Sequence, residues 1–171
     1  INKVKESQLI NNQKNGIEKQ KDDLVNQTYI VLLCRLETHD LDRVIKRLRF
    51  RKDIQQIILA ANSLWQNQEM LSKLSPGDFT EKIEKYPPLA INTMLLIAKD
   101  PNFISKLKRY LTDWKYITIE TNGRDLKKLD IPPGPIYHQL LKRLRAAKID
   151  GEINAKISEK KMLHQLLEKM M

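Results

Sequence analysis

Residues 75–114 read SPGDFTEKIEKYPPLAINTMLLIAKDPNFISKLKRYLTDW and contain three breaks marked by proline. Proline has a fixed φ and no N–H, so it suits the first turn of a helix and ends the helix before it. The breaks are Ser75-Pro76, Pro87-Pro88 and Asp100-Pro101. Apolar residues lie at helical spacing between them, and Leu89–Ala98 is almost wholly apolar. The stretch therefore predicts three short helices, of which the second is buried.

The same helical pattern extends in both directions from this stretch. We predict further helices at 22 or 23 to Leu36, Asp40 to Leu48, from about Lys52, Pro135 to Lys148, and Ser158 to Met171. Alternation with a period of two is seen only at Tyr116–Glu120, which we interpret as an extended connector. The sequence predicts an all-α fold, a compact array of short helices with a small C-terminal helical tail unit.

Composition divides the chain into three parts. Residues 1–20 form a polar leading segment rich in Asn, Gln and Lys, and residues 21–117 carry most of the predicted helices. Residues 118–171 differ, because three of the five glycines and three of the seven prolines lie between Thr121 and Gly151. We interpret this last part as a separate helical tail with a Gly/Pro-rich motif.

Length and composition exclude several classes of protein. The chain has 171 residues, 41% hydrophobic and 30% charged, which fits one domain with at most a small extension. Its single cysteine, Cys34, excludes a disulfide framework and a cysteine zinc site, and its apolar neighbours predict burial. We expect a cytoplasmic protein without a membrane span. Because the sequence starts with Ile1, we expect a fragment or a processed product.

The charge balance favours a polyanionic partner. Lys and Arg number 31 against 21 Asp and Glu, giving a net charge of +10 and a pI near 9.6. RNA or DNA is favoured over an anionic membrane. The basic residues form two clusters, which we predict to bind RNA phosphates unless each is only a solvated helical face. The first cluster is Arg43, Lys46, Arg47, Arg49, Arg51 and Lys52, and the second is Lys142, Arg143, Arg145 and Lys148.

The segment from Thr121 to Glu152 resembles the C-terminal tail of bacterial class II tRNA nucleotidyltransferases, the CCA-adding and A-adding enzymes, and of the related poly(A) polymerases. The match is specific over about thirty residues. Its residues are Gly123, Asp125, Leu126, Leu129, Pro133, Gly134, Pro135, Leu140, Leu144, Ala146, Asp150, Gly151 and Glu152. Leu41 to Leu48 followed by Arg51-Lys52 is similar to the segment between neck and body in that family, so the resemblance extends over residues 22 to 171.

The resemblance implies a non-catalytic neck, body and tail, with residues 1–20 in a neck helix. The parent would add nucleotides to tRNA or other RNA 3′ ends, using ATP or CTP and Mg²⁺ in a catalytic head domain of the same protein. The chain would anchor the RNA as a monomer, without membrane contact and without a cofactor of its own. Two positions depart from the family pattern: Asp130 and His138 stand where the family has Gly.

The motif also has a direct physical interpretation. Pro135 can open the helix to Lys148, and Gly134 permits an unusual backbone before it. The free N–H groups of such a start could meet a phosphate, with Tyr137 stacking on a base. Alternatively, Pro132–Pro135 is only a rigid connector and Tyr137 packs inward. Gly123 and Asp125 are read as a turn and a helix cap.

No catalytic or metal-binding motif is recognisable. The one Asp-x-Asp, Asp40 and Asp42, lies at a predicted helix start, where N-capping explains it. His39-Asp40 matches a dipeptide of metal-dependent phosphohydrolases, but the other histidines, His138 and His164, both lie downstream of it. A P-loop and a dinucleotide fingerprint are also missing. We therefore assign no catalytic residue and no metal ligand to this chain.

Two other functions remain open. The chain could be a helical protein-interaction module that uses Leu89–Ala98 and the leucine face Leu163–Leu167. It could also bind DNA through a helix-turn-helix at Asp125–Lys148, although that turn is long and rich in proline. The sequence does not distinguish CCA-adding, A-adding and poly(A) activities, because the head domain makes that choice.

Overall fold

The computed structural model describes residues 25, 27–129, 131 and 134–168, and all regular structure in them is helical. The all-α prediction is confirmed. The leading segment 1–20, Asp130 and Pro133 lie outside the described residues. The helices are α1 (residues 27–33), α2 (Thr38–Leu48), α3 (Lys52–Ser72), α4 (Pro76–Ile83), α5 (Pro88–Ile97), α6 (Pro101–Thr112), a 3-10 turn (Trp114–Tyr116), α7 (Gly123–Lys127), α8 (Pro135–Asp150) and α9 (Lys156–Glu168).

The chain packs as two compact units. The first contains the described residues up to Asn67 together with Pro87–Ala98, and the second contains Gln68–Tyr86 and the described residues from Lys99 onward. Helix α3 begins in the first unit and ends in the second. The division predicted from composition, at 20/21 and 117/118, stays a prediction about domains.

The first unit is held by a buried amide. Asn62 donates hydrogen bonds from its side chain to the carbonyl oxygens of Cys34 and Leu36, both at 2.8 Å. The helix predicted to reach Leu36 ends at residue 33, and residues 34–36 form a turn whose free carbonyls Asn62 satisfies. Cys34 is buried as predicted, and burial raises the pKa of its thiol to about 11.

Helix α5 is only partly buried. Ala90, Ile91 and Met94 are buried, as the apolar run predicted. Leu96 is 69% exposed because it shares a face of α5 with exposed Asn92. The prediction that the whole run is buried is therefore wrong for that face.

The second unit packs around an aromatic group. Phe79 meets Phe103 and Trp114 edge to face, at centroid distances of 5.9 and 6.1 Å. A second apolar cluster joins α7, α8 and α9 and contains Leu126, Leu140, Leu144, Ala147, Ile153 and Leu163, with Leu166 and Leu167 packed against it. The leucine face of α9 thus lies within this unit's core.

Local caps set the helix ends much as the proline breaks predicted. Ser75 caps α4 through the N–H of Asp78, and Asp100 caps α6 through the N–H groups of Asn102 and Phe103. Helix α4 ends at Ile83, three residues before the predicted end. The α region is disfavoured for the residue before Pro87, and Glu84–Tyr86 form a turn instead.

Helices α4 and α8 approach closely where Gly77 faces Ala146. A Cβ on Gly77 would lie 2.7 Å from the Ala146 carbonyl oxygen and 2.8 Å from its Cα and Cβ atoms. The approach is reinforced by Asp150, whose carboxylate accepts from the Gly77 N–H at 2.7 Å and from the Ser75 hydroxyl at 3.2 Å. An acid of α8 therefore sits at the positive end of α4.

We expect Gly77→Ala to lower the free energy of unfolding by about 1–3 kcal/mol, the usual cost of overpacking a rigid contact. Urea denaturation followed by circular dichroism measures this change. Gly134→Ala is the matched control, because its added Cβ would meet nothing within 4 Å. Equal stability of the two variants would show that α4 and α8 can separate without cost.

Candidate nucleic-acid interface

The first basic cluster runs from the second half of α2, across the following turn, to the start of α3. Arg43, Lys46 and Arg47 belong to α2, Arg49 is its C-cap, and Arg51 and Lys52 lead into α3. Except for Phe50, which is half-buried, every residue of 46–52 is exposed. The cluster therefore presents its cations to solvent from one short stretch of backbone.

Hydrogen bonds and an aromatic contact stabilise the turn between α2 and α3. Arg49 has a left-handed backbone, with φ 51°, and its N–H donates to the Ile45 carbonyl at 3.1 Å. The Gln55 side chain donates to the Phe50 carbonyl at 2.6 Å. Tyr29 packs edgewise on the Phe50 ring, with centroids 5.1 Å apart. These contacts hold the backbone that carries the cations.

Most cations of this cluster have no carboxylate partner in the described part of the chain. Arg43 is 3.9 Å from Asp40, and Arg51 is 3.1 Å from Asp53, both in exposed pairs that contribute little. Lys46, Arg47, Arg49 and Lys52 form no ion pair with any described residue. Lys46 and Arg47 also complement the negative end of α2, so part of the pattern serves the helix itself.

The second basic cluster is different, because each of its cations holds a carboxylate. The four pairs join Lys142 to Glu81 at 2.6 Å, Arg143 to Glu152 at 2.9 Å, Arg145 to Glu84 at 2.6 Å and Lys148 to Glu159 at 2.9 Å. Its charge is thus already balanced within the second unit. RNA binding by this cluster stays a prediction, and these contacts give its side chains a structural role.

Arg145 is the most constrained of the four. Its guanidinium makes two hydrogen bonds to the Glu84 carboxylate and a third, at 2.9 Å, to the Ile117 carbonyl. The hydrogen bond to Glu84 raises the pKa of Arg145 further above its ordinary value, although burial opposes the shift. This planar, bidentate pairing joins α8 to the end of α4.

Glu159 is a buried carboxylate with a full set of donors. Its side chain is fully enclosed and accepts from the backbone N–H groups of Glu120 and Thr121, the Thr121 hydroxyl and the Lys148 ammonium. Burial would raise the pKa of this carboxyl, but Lys148 and the Thr121 and Glu120 hydrogen bonds together lower it. Glu159 therefore joins α9 to the connector before α7 as an anion.

The tail motif supplies helix ends and anchors. Asn122 and Asp125 form a capping box at the start of α7, with Gly123 in its first position. Pro135 opens α8, Gly134 precedes it in an extended conformation, and Gly151 ends α8 at φ 80°. Tyr137 donates from its hydroxyl to the Ile131 carbonyl at 2.8 Å.

The Tyr137 ring is half-buried against the apolar cluster of α7, α8 and α9, which leaves only part of it for a base. Asp150 caps α4, as described above, and Glu152 pairs with Arg143. Most of the described residues of the motif thus stabilise the fold of the second unit. Base stacking by Tyr137 stays a prediction.

Asp40, Asp42 and His39 are all exposed on α2. The N-cap of α2 is Glu37, so the interpretation of Asp40 and Asp42 as N-caps is wrong. Asp40 lies 3.7 Å from the His39 ring nitrogen Nδ1 and 3.9 Å from Arg43. The described part of the chain brings no three His, Cys, Asp or Glu side chains together in a metal-binding arrangement. Among the described helices, none combines the length and apolar character needed to cross a bilayer.

One exposed aromatic side chain is not among the predicted site residues. Tyr116 is 67% exposed, and the ammonium of Lys115 lies 4.7 Å from its ring centroid. Its sequence pattern predicts only the start of the extended connector Tyr116–Glu120. The signal for it is a basic residue beside an aromatic one, Lys115-Tyr116, since Trp114 before them is buried.

Comparisons with known proteins give no relative to guide the assignment: no family model, no curated protein and no solved structure matches this chain.

Proposed function

We propose that the chain is the non-catalytic RNA-binding part of a tRNA nucleotidyltransferase or poly(A) polymerase. It anchors tRNA while a head domain adds nucleotides to the 3′ end. The observation that carries the proposal is the first basic cluster, Arg43 to Lys52, whose cations are exposed and mostly unpaired within the described residues.

The chemistry of this cluster suits a phosphate backbone. Arginine offers a planar fork that binds phosphate oxygens in pairs, and lysine adds a mobile point charge. A polyanion that meets unpaired cations need not break existing ion pairs, as it would at the second cluster. Such contacts set the register of an RNA without reading its bases.

The tail supports the proposal in two ways. Its sequence resembles the C-terminal tail of the nucleotidyltransferase family, and its residues form well-defined helix ends. Its motif residues shape α7 and α8, which would present a fixed surface to the acceptor end of a tRNA. Positioning of this kind contributes to catalysis by holding the reacting end in place. Catalysis with Mg²⁺ and ATP or CTP belongs in this proposal to the head domain.

The test is a salt titration of tRNA binding to the whole chain, with duplex DNA of equal length as competitor. We expect binding that weakens with salt, each phosphate contact contributing about −0.7 to −0.9 to the slope of log K against log salt. We also expect the chain to bind tRNA more tightly than duplex DNA. Binding insensitive to salt would contradict the proposal, and equal affinity for duplex DNA would favour a DNA-binding helix-turn-helix.

A second candidate is a protein-interaction module. Leu32 on α1 and Leu96 on α5 are 63% and 69% exposed in the first unit and would supply its apolar contacts to a partner. The partner in this case would be the head domain of the same protein. Co-elution with that domain, lost in Leu32→Ser and Leu96→Ser, would support this function, and separate elution would contradict it.

A further inference from the structure

A small cationic pocket lies in the second unit, between α7 and α9. Its volume is about 240 Å³. It is lined by Thr121, Asp125, Lys128, Leu129, Lys160, Leu163 and His164. Three of these side chains carry a positive charge or can acquire one, namely Lys128, Lys160 and His164.

The fold brings these three residues together from distant parts of the sequence. Lys160 and His164 are one turn apart on α9, and buried Leu163 fixes that face of the helix against the apolar cluster. Lys128 is the C-cap of α7. Since Lys128 and Lys160 are 32 positions apart, no cluster is visible in the sequence.

The pocket has more positive than negative charge. Asp125 is its single acidic lining residue, and its carboxylate already accepts from the Asn122 N–H in the capping box. Lys128 lies 3.9 Å from Asp125, a long and exposed contact. Lys160 and His164 form no ion pair with any residue in the described ranges.

Other cations lie near the pocket in sequence but do not line it. They are Arg124 and Lys127 on α7 and Lys161 on α9, all exposed. Glu159, the nearest acid on α9, points into the core and is balanced by Lys148. An anion would therefore meet cations on two helices.

We propose that this pocket binds a phosphate group through Lys128, Lys160 and His164. Two ammonium groups and an imidazole can supply N–H donors to the oxygens of a phosphate. The phosphate can belong to an RNA backbone or to a free phosphate ester, which share this chemistry. The RNA source rests on the proposed function, whereas phosphate binding itself does not.

The first test is a titration of the whole chain with inorganic phosphate, followed by NMR of the histidine ring protons. Sodium chloride of equal ionic strength provides the blank. We expect phosphate to shift the His164 signals and to leave His138, outside the pocket lining, unchanged. The double variant Lys128→Gln/Lys160→Gln should abolish the shift.

The matched control is Lys127→Gln/Lys161→Gln, which removes the same charge from exposed neighbours on the same two helices. It should keep the phosphate-dependent shift of His164. The proposal that the pocket binds phosphate would be overturned by either of two results. One is no His164 shift in the unmodified chain, and the other is an equal loss of that shift in both double variants.

The second test repeats the tRNA salt titration with both double variants. If the pocket holds backbone phosphates, Lys128→Gln/Lys160→Gln reduces the magnitude of the slope by about 1.4–1.8, the contribution of two contacts. A His164 shift with no tRNA binding would contradict the proposed function and assign the pocket to a free phosphate ester. tRNA binding without a His164 shift would contradict phosphate binding by the pocket but would agree with the proposed function.

Discussion

Arg47→Glu/Arg51→Glu should lower the affinity for tRNA by about 100-fold or more. A hydrogen bond to a charged group contributes about 1.5–3 kcal/mol, and about 1.4 kcal/mol corresponds to a factor of ten in affinity. Two lost contacts therefore reach this range before repulsion is counted. Fluorescence anisotropy with labelled tRNA at fixed salt measures the change.

The control for this double variant is Lys99→Glu/Lys108→Glu. It changes the net charge by the same amount at two exposed lysines outside both clusters. We expect it to lose much less affinity. Both variants should stay folded, although Arg47→Glu should cost up to about 1 kcal/mol of stability at the negative end of α2. Equal losses in the two variants would show that total charge, and not the first cluster, determines binding.

Glu159→Ala should be the most destabilising substitution that the described contacts predict. It removes the carboxylate that accepts from Glu120, Thr121 and Lys148, and leaves those donors without their partner. Removal of one member of a buried ion pair typically costs about 3–5 kcal/mol. Urea denaturation measures the loss. Glu152→Ala, which removes an exposed pair with Arg143, should cost less than about 1 kcal/mol.

Glu159 should also make the free energy of unfolding depend on pH. The folded state lowers the pKa of Glu159, so its contribution is fully present above the ordinary glutamate pKa of about 4.3. That contribution is lost as the pH falls through the lower pKa of the folded state. Glu159→Gln should flatten this acid limb of the stability curve. An unchanged limb would contradict the ionised state of Glu159.

Local signals in the sequence were enough for the fold class and most helix ends. Ser75 before Pro76 and Asp100 before Pro101 begin helices because cap and proline act within four residues. The apolar face of α9 also followed from helical spacing. Exposure of Leu96 could not be predicted, since an apolar run does not show which face meets a neighbour.

The two basic clusters look alike in the sequence, and only tertiary contacts distinguish them. Arg145 pairs with Glu84, 61 residues away, and Lys148 pairs with Glu159 on the next helix. Asp150 likewise caps α4 through Gly77, which is 73 residues away. Partners at such separations leave no periodic pattern, so the sequence predicted equal roles for both clusters.

Acetylation of lysines in the presence and absence of tRNA, read by mass spectrometry, tests the central claim most directly. Lys46 and Lys52 are exposed without an ion pair in the described residues, whereas Lys142 and Lys148 hold carboxylates. We predict that tRNA slows the acetylation of Lys46 and Lys52 severalfold and leaves Lys142 and Lys148 unchanged. Protection of Lys142 and Lys148 with none at Lys46 and Lys52 would contradict the account.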